Sequence, residues 1–568
     1  MSTKLFYLFA ITLLLFSCGG EDQNEEKDVI NAVGGVRYGG EFKFMSKEKV
    51  NNLFPLNVTD VYASRITTQI FEGLLKIDPS SMKVIPCIAK DYEVSDDSKT
   101  FTFNLRDDVY FHDNDCFEDG KGRLVTANDF KYSLEMACSS SKLNKLSWLL
   151  TDKIVGAQAY FNKKSDEVTG IKVIDESTLE IELINPFSSF HKLITHYGLV
   201  VFPREAIEHY GDDIVGNPVG TGAFMLDELA DDKITLKRNT NYWRKDDFGN
   251  QLPFLDKIEM TYSKNKADEL LSFRSQEIDL VLDIPVEEID NVLGTLTEAQ
   301  EGKNVKHKVD SKSSISIQYF AFNHESEVFS KREVRKAFNL AIDREAIIET
   351  WLEGEGWAAN YGFVPKMKNY PYKSIKGYSL QIEKAKELMK KAGYPEGKNF
   401  PQIQLYVNAA ENSGTHKLAK AVVFSLKQNL GIKIKIKLCS IKEREEAIKS
   451  GKAVFWRTGW IADYPDPENF LNLFYVGKDK EIDKDLNPFN YSSKKFDQLF
   501  EKAMAETDDS KRMEILAQCD QIIIDDAVVM PLLTEDFITM INLKVKGFNS
   551  NEMEQLDFSS IYIREIRQ

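Results

Sequence analysis

The chain has 568 residues and a mass of 64.9 kDa, with 42% hydrophobic and 29% charged residues. That balance is globular rather than disordered or fibrous, and at ~150 residues per domain the length implies about four folding units. A formal net charge of −16 argues against a nucleic-acid surface, which needs a basic stripe.

At the N-terminus, "MSTKLFYLFAITLLLFSC" sets Lys4 ahead of an apolar run from Leu5 to Phe16, followed by Ser17 and Cys18. The run falls short of the roughly 20 residues that span a bilayer and fits the apolar core of an export signal. Leu15-Phe16-Ser17-Cys18 resembles a bacterial lipobox, although Phe16 is bulkier than the usual residue there. Residues 1–17 are therefore expected to be a lipoprotein signal peptide and 18–36 a tether beginning at an acylated Cys18. An ordinary signal peptide with an incidental cysteine is the alternative, and the polar "GGEDQNEEKD" that follows favours the tether. No later segment approaches membrane-spanning length. The protein is expected to be exported and lipid-anchored to a bacterial membrane, on its periplasmic face or at the cell surface, with its folded mass in water. With Cys18 lipidated, Cys87, Cys116, Cys138, Cys439 and Cys519 remain, an odd and scattered set that reads mainly as buried free thiols.

Short elements then alternate without an internal repeat. "TFTFNL" (100–105) has the period of a strand, and "TANDFKYSLEMA" (126–137) reads as a helix capped by Thr126. "IKVIDESTLEIEL" (171–183) is a hairpin signal. "KREVRKAFNLAIDREAIIETWL" (331–352) predicts one long amphipathic helix or a helix pair, and "LQIEKAKELMKKAG" (380–393) a helix stopped by Gly393. "LAKAVVFSLKQNLGIKIKIKL" (418–438) predicts a helix ended by Gly431 and then a strand. Such alternation indicates an α/β protein with at least two lobes.

Catalytic signatures are missing: there is no G-x-S-x-G, no H-E-x-x-H and no phosphate loop. "GTGAF" (220–224) lacks the lysine of a phosphate cradle. His191 and His196 are five apart and do not share a helix face, and "DNDCFEDG" (113–120) fails the calcium-loop pattern. No cofactor and no metal are expected. In "GWIADYPDPENF" (459–470) three acids and two prolines sit between the aromatic stretches 453–456 and 471–475. On composition alone this is a solvated acidic turn, or else the acid/base pair of a hydrolase.

Six blocks, in order, resemble the bacterial extracellular solute-binding proteins of family 5, the peptide and nickel type that serve ABC importers. They are "IFEGLLKIDPSSMKVIPCIAKDYEVSDDSKTFTFNLRDDVYFHD" (70–113), "NPVGTGAFMLDE" to "ITLKRNTNYW" (217–243) and "FAFNHESEVFSKREVRKAFNLAIDREAI" (320–347). "EKAKELMKKAGYPEG" (383–397), "GWIADYPDPENFL" (459–471) and "DDAVVMPLL" (525–533) complete the series. The chain departs from the family after 113, where "NDCFEDGKGRLVTANDF" replaces a short G-x-P-L-T-A.

The resemblance implies a two-lobed periplasmic-binding-protein-like fold, type II and of the large peptide-binder class, with a hinge. The first lobe is expected at 37–70, 171–280 and 528–568, with an extra subdomain at 71–170, and the second lobe at 281–527. It further implies a monomer that captures di- to oligopeptides between the lobes and delivers them to ABC permease subunits, with no enzymatic activity. Asp463 occupies the position of the acid that pairs with a peptide α-ammonium. Gly459, Trp460 and Ile461 lie where relatives offer a strand edge to the peptide backbone. Arg457 sits where some oligopeptide binders meet a short peptide's carboxylate, or else it neutralises acids of its own loop. Val61 and Tyr62 lie where the first lobe lines the cleft, while Asp466 and Glu468 read as turn residues. The same fold binding nickel, haem or an oligosaccharide, a peptide sensor, and a secreted hydrolase are the competing readings.

Overall fold

The computed structural model describes residues 31–263, 265–282, 284, 307–477, 484 and 486–564. The signal segment, Cys18 and the start of the tether lie outside these residues. Two large sheets organise the chain, each with its own hydrophobic core.

The first sheet has seven strands, with Glu41–Ser46 central and parallel to Lys257–Tyr262. Its inward residues, Phe42 and Phe44, are fully buried and alternate with exposed neighbours, as a half-covered strand requires. A separate four-stranded antiparallel sheet carries Ala89–Val94, Thr100–Leu105, Ile171–Asp175 and Thr178–Glu182. The expected hairpin at 171–183 thus pairs with the strands of 89–105 rather than with the first large sheet, across the boundary expected at 170. The helix Ala127–Ala137 begins at Thr126, where Asp129 completes a capping box.

The second sheet has six strands, in which Ser316–Phe322 is buried at every position, the mark of a strand covered on both faces. The 331–352 segment is a helix pair, Arg332–Leu340 and Arg344–Trp351. Helix Gly414–Leu430 ends on Gly431 at φ 71°, a left-handed cap that favours glycine, and the strand Ile434–Cys439 follows.

Sheet membership runs across the boundaries expected near 280 and 528. His307–Ser313 pairs with Asp536–Asn542 in the first sheet, and the next strands, Ser316–Phe322 and Val529–Thr534, pair in the second. Between them the Ser314 N–H donates to the Glu535 carbonyl at 3.0 Å. A continuous two-stranded ribbon therefore links the lobes. Tyr464, from the second lobe, is fully buried in the core of the first, so the lobes are closed on one another.

All five cysteines from Cys87 onward are free thiols. Among the described residues no helix is long and apolar enough to cross a membrane, and no group of three or more His, Cys, Asp or Glu is arranged to hold a metal ion. In the inserted loop, Asp113 is held by Lys121 at 2.7 Å and by the Gly122 N–H at 2.9 Å.

Candidate functional site: a half-open strand and an unpaired carboxylate

Gly459, Trp460 and Ile461 belong to the strand Phe455–Ile461, which is paired along its whole length with Ser316–Phe322. Its other edge meets Ile403–Asn408 only at Phe455 and Trp456. The Ala462 N–H bonds the Ile315 carbonyl and the Asn323 N–H bonds the Val454 carbonyl, both at the same register. Antiparallel pairs alternate, so the backbone groups of Arg457, Gly459 and Ile461 face the other edge. Among the described residues, those of Gly459 and Ile461 have no partner there.

Asp463 follows the strand and is held by Asn469. The Asp463 N–H donates to Asn469 Oδ1, and Asn469 Nδ2 donates to Asp463 Oδ2, both at 3.2 Å. Trp460 Nε1 donates to the same Asn469 oxygen at 2.9 Å, tying the indole to the carboxylate's support. Gln555 Nε2 reaches the Asp463 carbonyl at 3.4 Å. The His196 ring lies 3.8 Å away, and burial holds it neutral by pushing its pKa down to about 3. Asp463 has only 15% of its side chain exposed and no cationic partner among the described residues. Burial pushes its pKa up to about 7, against the opposing pull of the Asn469 hydrogen bond.

Three residues on, Asp466 shows the opposite electrostatics. It is fully buried, caps helix Pro467–Leu471, and takes a bidentate contact from Arg512 at 2.9 and 2.7 Å. Lys192, from the first lobe, adds a third bond at 2.9 Å. Burial raises its pKa, but Arg512 and Lys192 outweigh that and hold the carboxyl well below its usual range. Glu468 is also fully buried and accepts from the Tyr464 hydroxyl. The acids of this loop are thus not a solvated turn: two are enclosed with partners, and one is enclosed without a cation.

Arg457 does not neutralise those acids. Its guanidinium donates to Gln318 Oε1, desolvation lowers its pKa, and Glu535 and the Tyr62 phenol act against that shift. Glycine at 459 leaves room for the Gln318 amide, since a Cβ there would stand 2.6 Å from Gln318 Oε1 and push that side chain aside. Val61 and Tyr62 open the helix Val61–Ile70, capped by Asp60, and both are half-buried. Tyr62 reaches the electrostatic neighbourhood of Arg457. Burial, followed by Asp463 and Asp60, keeps the Tyr197 hydroxyl protonated, so His196 and Tyr197 bring the first lobe to Asp463.

Residues 83–481 match the family described as bacterial extracellular solute-binding proteins, family 5 Middle. The chain belongs to that family. Among relatives of this family 5 protein, the oligopeptide-binding protein OppA of Bacillus subtilis is 27% identical, with 94% of this chain and 95% of OppA covered. The glutathione-binding protein GsiB of Salmonella typhi is 26% identical, with 92% of each chain covered. The crystal structure of a periplasmic oligopeptide-binding protein (OppAIV) from Borrelia burgdorferi superposes with a TM-score of 0.79. It is 26% identical and covers 92% of this chain and 99% of that one. The fold is therefore the two-lobed α/β architecture that the resemblance implied.

Sequence reasoning missed His196, Tyr197, Asn469 and Gln318. His196 was visible only as a spacing that fails for a metal, and nothing in the sequence placed it beside Asp463. Asn469 lay inside the quoted loop, where its position in the first turn of a proline-started helix was its only signal.

Proposed function

We propose that this chain is the substrate-binding component of an ABC importer, capturing peptides between its lobes and delivering them to a membrane permease. One observation carries the reading: a buried carboxylate with no cation beside it among the described residues, Asp463, stands at the end of a half-open strand, Phe455–Ile461. A receptor indifferent to side chains needs those two features, an anion for the α-ammonium and a strand edge for the peptide backbone. The names of relatives that bind oligopeptides, dipeptides and glutathione support the same ligand class. Nickel, haem and oligosaccharides carry no ammonium for Asp463 to meet. Closure of both lobes on the ligand supplies the shape that the permease reads.

The test is calorimetric binding of tri-alanine across pH 5 to 8.5. With Asp463 unliganded at a pKa of about 7, binding must first ionise the carboxyl, so affinity falls about tenfold per pH unit below that value. Above about pH 8 the peptide's own α-amino group loses its proton and affinity falls again. His196 stays neutral throughout this window and does not contribute. A flat profile between pH 5 and 7 would overturn the assignment of Asp463.

Cys18, acylated, is the anchor in this reading, and a single copy works with the permease. Cys18→Ala releases the protein from the membrane fraction of cells, and unchanged membrane retention would count against the anchor. Periplasmic face and outer surface are separated by protease accessibility on whole cells.

A further inference from the structure

The chain is acidic as a whole, yet one face of the second lobe is not. Helix Gly414–Leu430 carries three lysines and neither Asp nor Glu along its length. At 100° per residue, Lys417, Lys420, Phe424 and Lys427 fall within an arc of about 80°, so they share one side of it. Leu418, Val422, Leu426 and Leu430 turn the other way, into the second core. Phe424, in the middle of the lysine stripe, is 50% exposed and packs on Trp351 with ring centroids 5.9 Å apart. Glu353 and Glu411 stand at the N-terminal end of the helix, where Glu353 meets Lys417 at 3.4 Å and Glu411 acts on His416. Lys420 reaches the Asn412 amide oxygen at 3.2 Å, and among the described residues no carboxylate pairs with it or with Lys427. At the other end, Gly431 lies against the Glu396 carbonyl, just beyond the neighbouring helix Ile382–Lys391. The two helix ends thus meet, and Lys390, Lys391, Lys427 and Lys433, all exposed, belong to that junction. Cations at a helix C-terminus also satisfy its dipole. That accounts for Lys390 and Lys427 but not for an exposed phenylalanine among the lysines.

We propose that this face is a membrane-contact surface, with an anionic bilayer as its occupant. Phe424 enters the headgroup layer beside Trp351, and Lys420, Lys427 and Lys433 lie over the lipid phosphates with their stems along the apolar boundary. Charge decides the partner. A chain of net charge −16 is repelled by an anionic surface except where it turns a positive face toward it. An acyl anchor and a basic face act together, since the anchor raises the local concentration of lipid at that face. Residues 18–30 separate Cys18 from the first described residue, Asn31, and fully extended they reach about 45 Å. With both attachments the receptor lies with its second lobe against the bilayer instead of swinging on its tether.

The experiment is co-sedimentation with vesicles, using the chain from Gly19 onward without lipid, which keeps every described residue. Two vesicles are compared at about 50 mM salt, phosphatidylcholine alone and phosphatidylcholine with an equal part of phosphatidylglycerol. Wild type partitions about 100-fold more strongly into the anionic vesicles, at roughly fivefold for each of three lysines, and about 0.5 M salt removes the difference. Lys420→Gln, Lys427→Gln and Lys433→Gln combined bring the two vesicles to within about threefold of one another. Phe424→Ser weakens binding to the anionic vesicles about tenfold and leaves the salt dependence in place. Urea midpoints of both variants stay at the wild-type value, since none of the four side chains belongs to a core. Equal partitioning of wild type into both vesicles, or unchanged binding by the triple variant, overturns the proposal. So does self-association of the lipid-free protein that the triple variant abolishes, because the face then belongs to a second copy of the chain.

Discussion

Asp463→Ala abolishes measurable peptide binding and leaves the protein folded. The bound ammonium would be desolvated without a counter-charge, and removing one side of such a pair costs about 2–5 kcal/mol, or roughly 30- to 5,000-fold in affinity. Asp463→Asn loses as much, because the carboxamide keeps the Asn469 contacts but offers an ammonium no charge. The fold does not need the carboxylate, which touches Asn469 and the neutral His196 and pairs with no cation among the described residues. The sign of its pH linkage follows. Its folded-state pKa of about 7 lies above the ordinary value of 3.8, so between about pH 4 and 7 the folded protein holds a proton that the unfolded chain has released. Stability therefore falls as pH rises through that window, and the penalty is complete above pH 7. In urea titrations without peptide, Asp463→Asn removes that slope and is the more stable protein at pH 8. Tight calorimetric binding of tri-alanine by either variant would sink the anchor assignment.

Arg512→Ala is the most destabilising single change expected in this loop. It leaves Asp466, with no exposed surface, with Lys192 as its one remaining cation among the described residues and the capping Glu468 N–H as its other partner. Breaking a buried ion pair from one side costs about 3–5 kcal/mol, because the remaining charge keeps its desolvation penalty and loses its compensation. Lys192→Met costs less, since the bidentate Arg512 contact survives, though it removes the ion pair that joins Asp466 to the first lobe. Combining Arg512→Met with Asp466→Leu recovers much of the loss, as it removes both charges together. Urea midpoints of the four proteins test this order, and Arg512→Ala within about 0.5 kcal/mol of wild type would contradict it.

Much of this was legible in the sequence where local chemistry decides. The helix after Thr126, the stop at Gly431 and the alternation of 100–105 depend on neighbours a few residues away, and the structure has all three. The special status of Asp463 was legible only through resemblance, since composition favoured a solvated turn. Its physical cause is distributed over the chain: Tyr464 sinks into the opposite core, Asn469 folds back from a helix, and His196 and Gln555 arrive from distant segments. Asp466 misled for the same reason, because an acid between two prolines looks exposed until Arg512 and Lys192 are brought to it. Lobe boundaries were hard to read because two consecutive strands, 307–313 and 316–322, are separated by only two residues and yet enter different sheets.

The linking ribbon also sets the order in which the chain can acquire its structure. Asp536–Asn542 lies between Leu280–Val281 and His307–Ser313, and Val529–Thr534 lies between Trp357–Ala358 and Ser316–Phe322. Neither sheet is complete until residues 529–542 have left the ribosome, so the nascent chain has no finished lobe through most of its synthesis. The C-terminal strands 529–542 are thus the late step that commits both halves to their native form together.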